Sequence, residues 1–484
     1  MSSRIRWASV IALLAAGASS AQTGGTGTTT PPTGQQTEKP QSPETAPKQT
    51  PFGTSGAPIP GVANLGPTRE IKLAPDTWFR FAVQVQAWAQ AHQDRLTTTG
   101  ADGSYGYDFY CRRCRFFATG SVVKNVFFNF LFEAGNFGKA DPVTGVKAAN
   151  TPQVLDAYGQ VKFADAFWLS AGNILMPLSR NGTQPTTTYL SLDTANITSS
   201  PVLQGNTFVL RDLGIQANGF FADNHLEYRL GVFQGSRQPS SGTAAQVAGG
   251  TVATGGHNAP RFVGSLMYDF WDPEVGYVNG GHYYGTKKVL GLMVNGDYQV
   301  FRTDGPGLPA PGGTVNQPGG TSKNPYYGFS AAAFINYPLS GQANRTGGDE
   351  LAALLQYGMY DGGFAVNAAG TAAANPGTYP NVLKQTNFLA EAAYYNHSAK
   401  VSVFGKYEMR KISDDYGGPI GAALKASTTI GNVTWAAAGL KYYIAPANLM
   451  NLTLQYERVI NNDVPAGQQS GVNNITLAYQ VILY

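Results

Sequence analysis

From Trp78 onward, apolar and polar side chains alternate with a period of two, the mark of a strand that shows a different environment on each face. Phe79, Phe81, Val83, Val85, Ala87 and Ala89 share one face, and Arg80, Gln84, Gln86 and Gln90 share the other. The same alternation returns at about 109–123, 125–135, 153–163, 166–176, 208–220, 225–235 and 260–271. It continues at about 287–302, 326–338, 349–361, 386–396, 399–410, 432–444, 449–460 and 473–484. With 77–91 this predicts about sixteen strands. The pattern is sharpest at 399–410, where Ala399, Val401, Val403, Tyr407 and Met409 oppose Lys400, Ser402, Lys406, Glu408 and Arg410.

Connection lengths alternate as well. Long connections at about 92–108, 137–152, 177–207, 236–259, 303–325, 362–384, 411–430 and 461–472 are separated by short ones such as Ala164-Asp165, Ala222-Asp223-Asn224 and Asn396-His397. An outer-membrane barrel has this arrangement, with long external loops and short periplasmic turns. Segment 272–286 breaks the rule, being some fifteen residues long where a short turn is due.

Composition decides which face meets which solvent. Charged residues make up 13% of the chain and aromatics 12%, against about 25% charge in ordinary soluble domains. No run of about 18 apolar residues follows the N-terminal segment, so membrane-spanning helices are excluded. A transmembrane barrel hides its apolar residues by alternation, and the mean hydropathy of −0.18 agrees with that. The fold expected is therefore all-β, an antiparallel up-and-down transmembrane barrel whose apolar face looks out to lipid.

The N-terminus is of a different kind. Arg4 and Arg6 precede the apolar run Ala8–Ala16, and Ser19-Ser20-Ala21 leads to Gln22, which predicts a signal peptide over 1–21. Residues 22–70, rich in Thr, Pro, Gly and Gln, read as a disordered tether, and 71–484 as the barrel. The formal net charge of +4 falls to about +2 without Arg4 and Arg6, far from a nucleic-acid-binding footprint. At the other end, Tyr484 is the terminal aromatic typical of such barrels.

With the apolar face outward, the lumen receives Arg80, Arg113, Arg115, Lys162, Arg229, Lys400, Lys406, Arg410 and Lys441. Asp156, Asp212, Glu227, Glu391, Glu408 and Glu457 lie among them. A pore selects ions through the side chains that line it, so Arg80, Arg113, Arg115, Lys162, Arg229, Lys406, Arg410 and Lys441 are the anion-guiding candidates. Pairing of these cations with the neighbouring acids, bracing the wall, is the competing role. Cys111 and Cys114 bracket two arginines in a Cys-x-x-Cys spacing. In a regular strand they would stand ~10 Å apart on opposite faces, beyond the ~7 Å reach of a disulfide, so two small unlinked side chains are expected there. No HExxH, phosphate loop or GxSxG occurs and no histidine is placed for catalysis; neither an enzyme nor a metal or other cofactor is expected.

Several strings carry a family resemblance. Arg112-Arg113-Cys114-Arg115-Phe116-Phe117-Ala118-Thr119-Gly120, Val154-Leu155-Asp156-Ala157-Tyr158, Leu169-Ser170-Ala171-Gly172-Asn173, Met176-Pro177-Leu178-Ser179, Arg211-Asp212-Leu213-Gly214-Ile215 and Gly231-Val232-Phe233-Gln234-Gly235 resemble the phosphate-selective porins O and P. The resemblance is clear over about 105–240. It implies sixteen strands, a homotrimer, outer-membrane lipid around it, and a lumen whose basic residues guide anions. Cys114 departs from the small or apolar residue usual at that place in the motif. By analogy with sixteen-stranded porins, the third long connection, 177–207, is expected to fold into the barrel and narrow it. The function expected is passive diffusion of small polar solutes and ions with a modest anion preference, phosphate among them. The alternative is a structural or wall-tethering barrel that is closed.

Overall fold

A computed structural model describes residues 70–93, 103–140, 152–199, 210–235, 259–276, 278–303, 322–340, 347–361, 382–414, 431–445 and 449–483, with a few isolated positions between them. The leader, nearly all of the tether, His257 and Tyr484 lie outside the described residues.

Sixteen strands form the wall: β1 Thr77–Gln93, β2 Tyr105–Val123, β3 Val126–Phe137, β4 Gln153–Ala164, β5 Phe167–Leu175, β6 Arg211–Phe221, β7 Leu226–Phe233 and β8 Arg261–Asp269. They continue as β9 Val289–Thr303, β10 Ser322–Pro338, β11 Glu350–Asp361, β12 Gln385–Asn396, β13 Val401–Ile412, β14 Val433–Ala445, β15 Met450–Ile460 and β16 Gly471–Leu483. Each pairs antiparallel with its sequence neighbour, and β16 closes on β1 from Asn474 opposite His92 to Leu483 opposite Val83. A short strand, Glu70–Ala74, folds back on the start of β1. Closure leaves no open edge, as lipid requires, because hydrocarbon offers no partner to a free N–H or C=O.

The alternation sets the two faces as expected. Phe81, Val83, Leu230, Leu355, Val403 and Leu477 are exposed on the outer wall, while Arg80, Gln84, Gln86, Gln356 and Lys406 are buried within. Exposed Tyr268, Tyr337, Tyr394 and Tyr442 mark the short-turn end, and Tyr107, Phe109, Tyr298 and Tyr327 the long-loop end. These are the aromatic girdles of a barrel in a bilayer.

Tight turns close the short end. Ala222, Asp223 and Asn224 all take positive φ, a geometry that Asn and Asp tolerate better than most residues. Lys400 also has positive φ and sits in the turn before β13. It is therefore a turn residue, where the alternation alone had put it on the lumenal face.

Candidate constriction of the lumen

Two segments enter the barrel, one from each end. Pro177, which has no N–H to extend the ladder, follows directly on Leu175 and Met176 at the end of β5. The chain then crosses the lumen through a short 3₁₀ turn, Asn181–Thr183, and a helical turn, Asn196–Ser199. Nearly every side chain from Ile174 to Ser191 is buried, so the third long connection is an inner loop.

The wall holds this loop through side chains that the strand alternation aims inward. Asn295 of β9 donates to the Pro177 carbonyl at 2.7 Å, and Ser330 of β10 to the Leu178 carbonyl at 3.0 Å. Gln356 of β11 accepts from the Asn181 N–H at 3.0 Å. Glu408 of β13 accepts from the Ile197 N–H at 3.1 Å, and Lys441 of β14 donates to the Tyr189 carbonyl.

On the opposite wall Asp193 meets two consecutive arginines. Arg112 Nε donates to Asp193 Oδ2 at 2.9 Å, and Arg113 pairs with Asp193 Oδ1. Burial raises the Asp193 carboxyl, but Arg112 and Arg113 outweigh it and hold the carboxyl well below the usual carboxylate range. Beside them Arg115 pairs with Glu133 and donates to Thr186 Oγ1 at 2.8 Å. In this group three guanidiniums face two carboxylates, which leaves one net positive charge against the loop.

Segment 272–286 is the second insertion, and this accounts for its length. Phe270 and Asp272 first extend the β8–β9 pairing by donating to the Leu290 and Lys288 carbonyls at 2.7 and 2.9 Å. The chain then turns inward and is captured by Glu350 of β11, whose carboxylate accepts from the Tyr283 N–H at 2.9 Å, the Gly285 N–H at 3.0 Å and Asn336 at 3.2 Å. His282 Nδ1 lies 2.9 Å from the same carboxylate, and both side chains are fully buried.

The insertions meet inside the barrel. Arg180 forks onto Glu274 with bonds of 2.6 and 2.9 Å and reaches the Gly280 carbonyl at 2.8 Å. The Asn279 N–H donates to the Thr183 carbonyl at 3.1 Å. At Gly281 the backbones are so close that a Cβ would stand 2.2 Å from the Thr188 carbonyl oxygen, so no larger residue fits. Apolar groups seal the joint: Ile197 and Tyr283 belong to one cluster with Met267, Met293, Phe334, Leu354, Leu389 and Trp435 of the wall. Each fully buried side chain of this size contributes about 1.5–3 kcal/mol. A recess lies between Thr186–Thr187 and the wall, lined by Gln86, Trp88, Asn451, Thr453 and Gln480.

The eight candidate cations all reach the inner face, with varied partners. Arg229 pairs with Glu227 at 2.7 Å, Lys406 with Glu408 at 2.7 Å, and Lys162 with Asp165 at 2.6 Å near the short-turn end. Arg80 lies over the Trp78 ring, and Arg410 donates to the Gly431 carbonyl at 2.7 Å beside Trp435. Arg113 and Arg115 come together at the inner loop, and Lys441 reaches it from across the lumen. Strand alternation missed Arg112 and Asp193. It could not show Arg180 and Glu274 either, because both leave the wall.

The two cysteines correct the expectation of unlinked thiols: Cys111 and Cys114 are joined by a disulfide, their Cα atoms 6.4 Å apart. The reason is a β-bulge. Against β1, Cys111 pairs with Ala87, Arg113 with Gln86 and Cys114 with Val85, so Arg112 has no partner and the alternation skips one residue. Both cysteines then fall on one face and within reach.

Comparison with known proteins agrees with this architecture. The phosphate-selective porin O and P family model matches residues 83–262. The outer membrane channel DcaP of Acinetobacter baumannii superposes with a TM-score of 0.50 at 10% identity, over 85% of this chain and 99% of that one. The high-pH structure of Pseudomonas putida OprB gives a TM-score of 0.54 at 8% identity, over 84% of this chain and 94% of that one. A search of curated protein sequences returns no match.

Proposed function

We infer that this outer-membrane porin lets small polar solutes and ions diffuse passively through its lumen, with a modest preference for anions. The observation that carries the preference is the uneven group at the inner loop, where the three guanidiniums of Arg112, Arg113 and Arg115 pair with the two carboxylates of Asp193 and Glu133. Charges that line a narrow, partly dehydrated passage weigh more than the same charges in bulk water. The other candidate cations, Arg80, Lys162, Arg229, Lys406, Arg410 and Lys441, extend the basic lining toward both mouths while bracing the wall. The passage we assign runs between the inner loop and the strands that carry these arginines, and phosphate is one anion we propose for it. The working unit is read as a homotrimer, with residues 1–21 a removed leader and 22–70 a tether. Catalysis forms no part of this reading.

A second reading is favoured by one specific feature. Two insertions joined by a buried ion pair, Arg180–Glu274, fit a closed barrel that serves as a structural or wall-tethering outer-membrane protein. Planar bilayers decide between them. Stable conductance steps from the purified protein are expected, and insertion without steps would leave the closed barrel standing. In a KCl gradient the reversal potential is expected to report anions. Replacing Arg113 and Arg115 with Ala should move it toward cations, and an unmoved potential would remove both from the selectivity assignment.

A further inference from the structure

We propose that the Cys111–Cys114 disulfide is a positioning device for the constriction, clamping the bulge that turns two adjacent arginines onto the inner loop. It deepens the diffusion reading above and rests on it for its consequence, but not for its test.

Residues next to each other in a strand point to opposite faces. Arg112 and Arg113 nevertheless both reach Asp193 inside the barrel. They can do so because these two residues together oppose the single residue Gln86 of β1. Across on β3 the register is kept, Cys111 opposite Phe137 and Arg113 opposite Gly135, but Asn136 between them takes φ 56° and accepts from Arg112 at 3.4 Å. The kink in β2 thus faces a left-handed residue of β3 at one level of the wall.

The bridge brackets this kink. Cys111 and Cys114 stand immediately before and after the two arginines, opposite Ala87 and Val85 on the outward-facing side of β1. The cross-link is therefore on the lipid side and the guanidiniums are on the lumen side of one bulge. Without it the extra residue is held only by the side-chain bonds of Arg112 and Arg113, and a bulge so held can open or move along the strand. With it the residues between positions 111 and 114 cannot return to the ~10 Å span of a regular strand. Arg112 stays inside, over the Trp88 ring at 5.6 Å and bonded to the loop, instead of alternating outward into lipid. Cys111 and Cys114 act through the arginines, and the arginines act on Asp193.

Hydrogen–deuterium exchange of the loop peptide covering 190–199 tests this on the full-length protein. In Cys111→Ser/Cys114→Ser the amides around Asp193 and Thr194 are expected to exchange about tenfold faster than in the parent, the scale of losing one charge-assisted hydrogen bond. In an Asp193→Asn background, removing the bridge should add little further, because the link it works through is already cut. Unchanged exchange in the double serine variant, or equal acceleration in both backgrounds, would overturn the proposal. Should the serine variant fail to assemble, the folded parent is treated with a phosphine, which converts the bridge to two thiols and is itself oxidised to phosphine oxide with oxygen from water. The same acceleration is expected, and none would overturn it. Conductance is read separately. A parent with no steps speaks against the diffusion reading alone, whereas a parent with steps and an unaltered loop after bridge removal speaks against the clamp alone.

Discussion

The two segments that fill the lumen reach the same place by different means. The loop from the long end, 176–199, is spread over the wall and tied to many strands by single hydrogen bonds, with Asp193 paired to the arginines of β2 and Arg180 to Glu274. The segment from the short end, 272–286, is also tied by Arg180 to Glu274 and by Arg229 to the Gly276 carbonyl, but one carboxylate, Glu350, accepts from two of its backbone N–H groups and faces His282. Distributed contacts make the loss of any one tolerable. An acceptor shared by several buried donors costs more to lose, since each donor left without it costs the full desolvation of that group.

The largest effect is therefore expected from Glu350→Ala. It should free segment 272–286 at a cost of about 5 kcal/mol, seen as faster proteolysis within that segment and as larger conductance steps. Unchanged steps would mean that the segment does not obstruct the passage. Next comes Arg180→Met, which strands the buried Glu274 carboxylate and should cost about 3 kcal/mol in thermal unfolding. The double variant Arg180→Met/Glu274→Met should recover most of that, because an apolar pair of similar volume needs no desolvation. Gly281→Ala ranks with Arg180→Met, at about 3 kcal/mol of overpacking, because its Cβ would press on the backbone carbonyl of Thr188, which cannot swing aside. It tests how rigidly the two insertions are locked, and no change in thermal unfolding would mean that they slide apart freely.

Asp193→Asn should be milder, about 1.5 kcal/mol, and should loosen only the loop, as judged by exchange of its amides. Its pH dependence follows from the depressed carboxyl. A group whose folded pKa lies below its unfolded value contributes in full above the unfolded pKa, and the contribution is lost only as pH falls through the folded value. Loop protection in the parent should thus stay constant from about pH 7 down to about pH 4. Loss of protection near pH 4 would show that the arginines do not hold Asp193 as described.

Much of this barrel is written in its period of two. All sixteen strands fall close to where alternation put them, because each strand faces lipid on one side and the lumen on the other, and every second residue reports that difference. The inward aim of Arg113, Arg115, Lys406 and Arg410 came from the same rule. The rule fails where the backbone stops being regular. Arg112 reaches the lumen through a bulge, and Cys111 and Cys114 can bond for the same reason. Lys400 leaves the wall in a left-handed turn. Segment 272–286 could be recognised from its length as an anomaly, but its destination depended on Glu350, about seventy residues further on.

Local alternation and connection length, then, suffice to specify a closed barrel in a membrane, since the solvent contrast acts on each strand by itself. How the lumen is filled is decided by tertiary structure, because Arg180 with Glu274, Asp193 with Arg112 and Arg113, and Glu350 with the backbone of 283–285 are partners distant in sequence. Their pairing has no period, and it exists only once the barrel has closed and brought the partners within reach of each other.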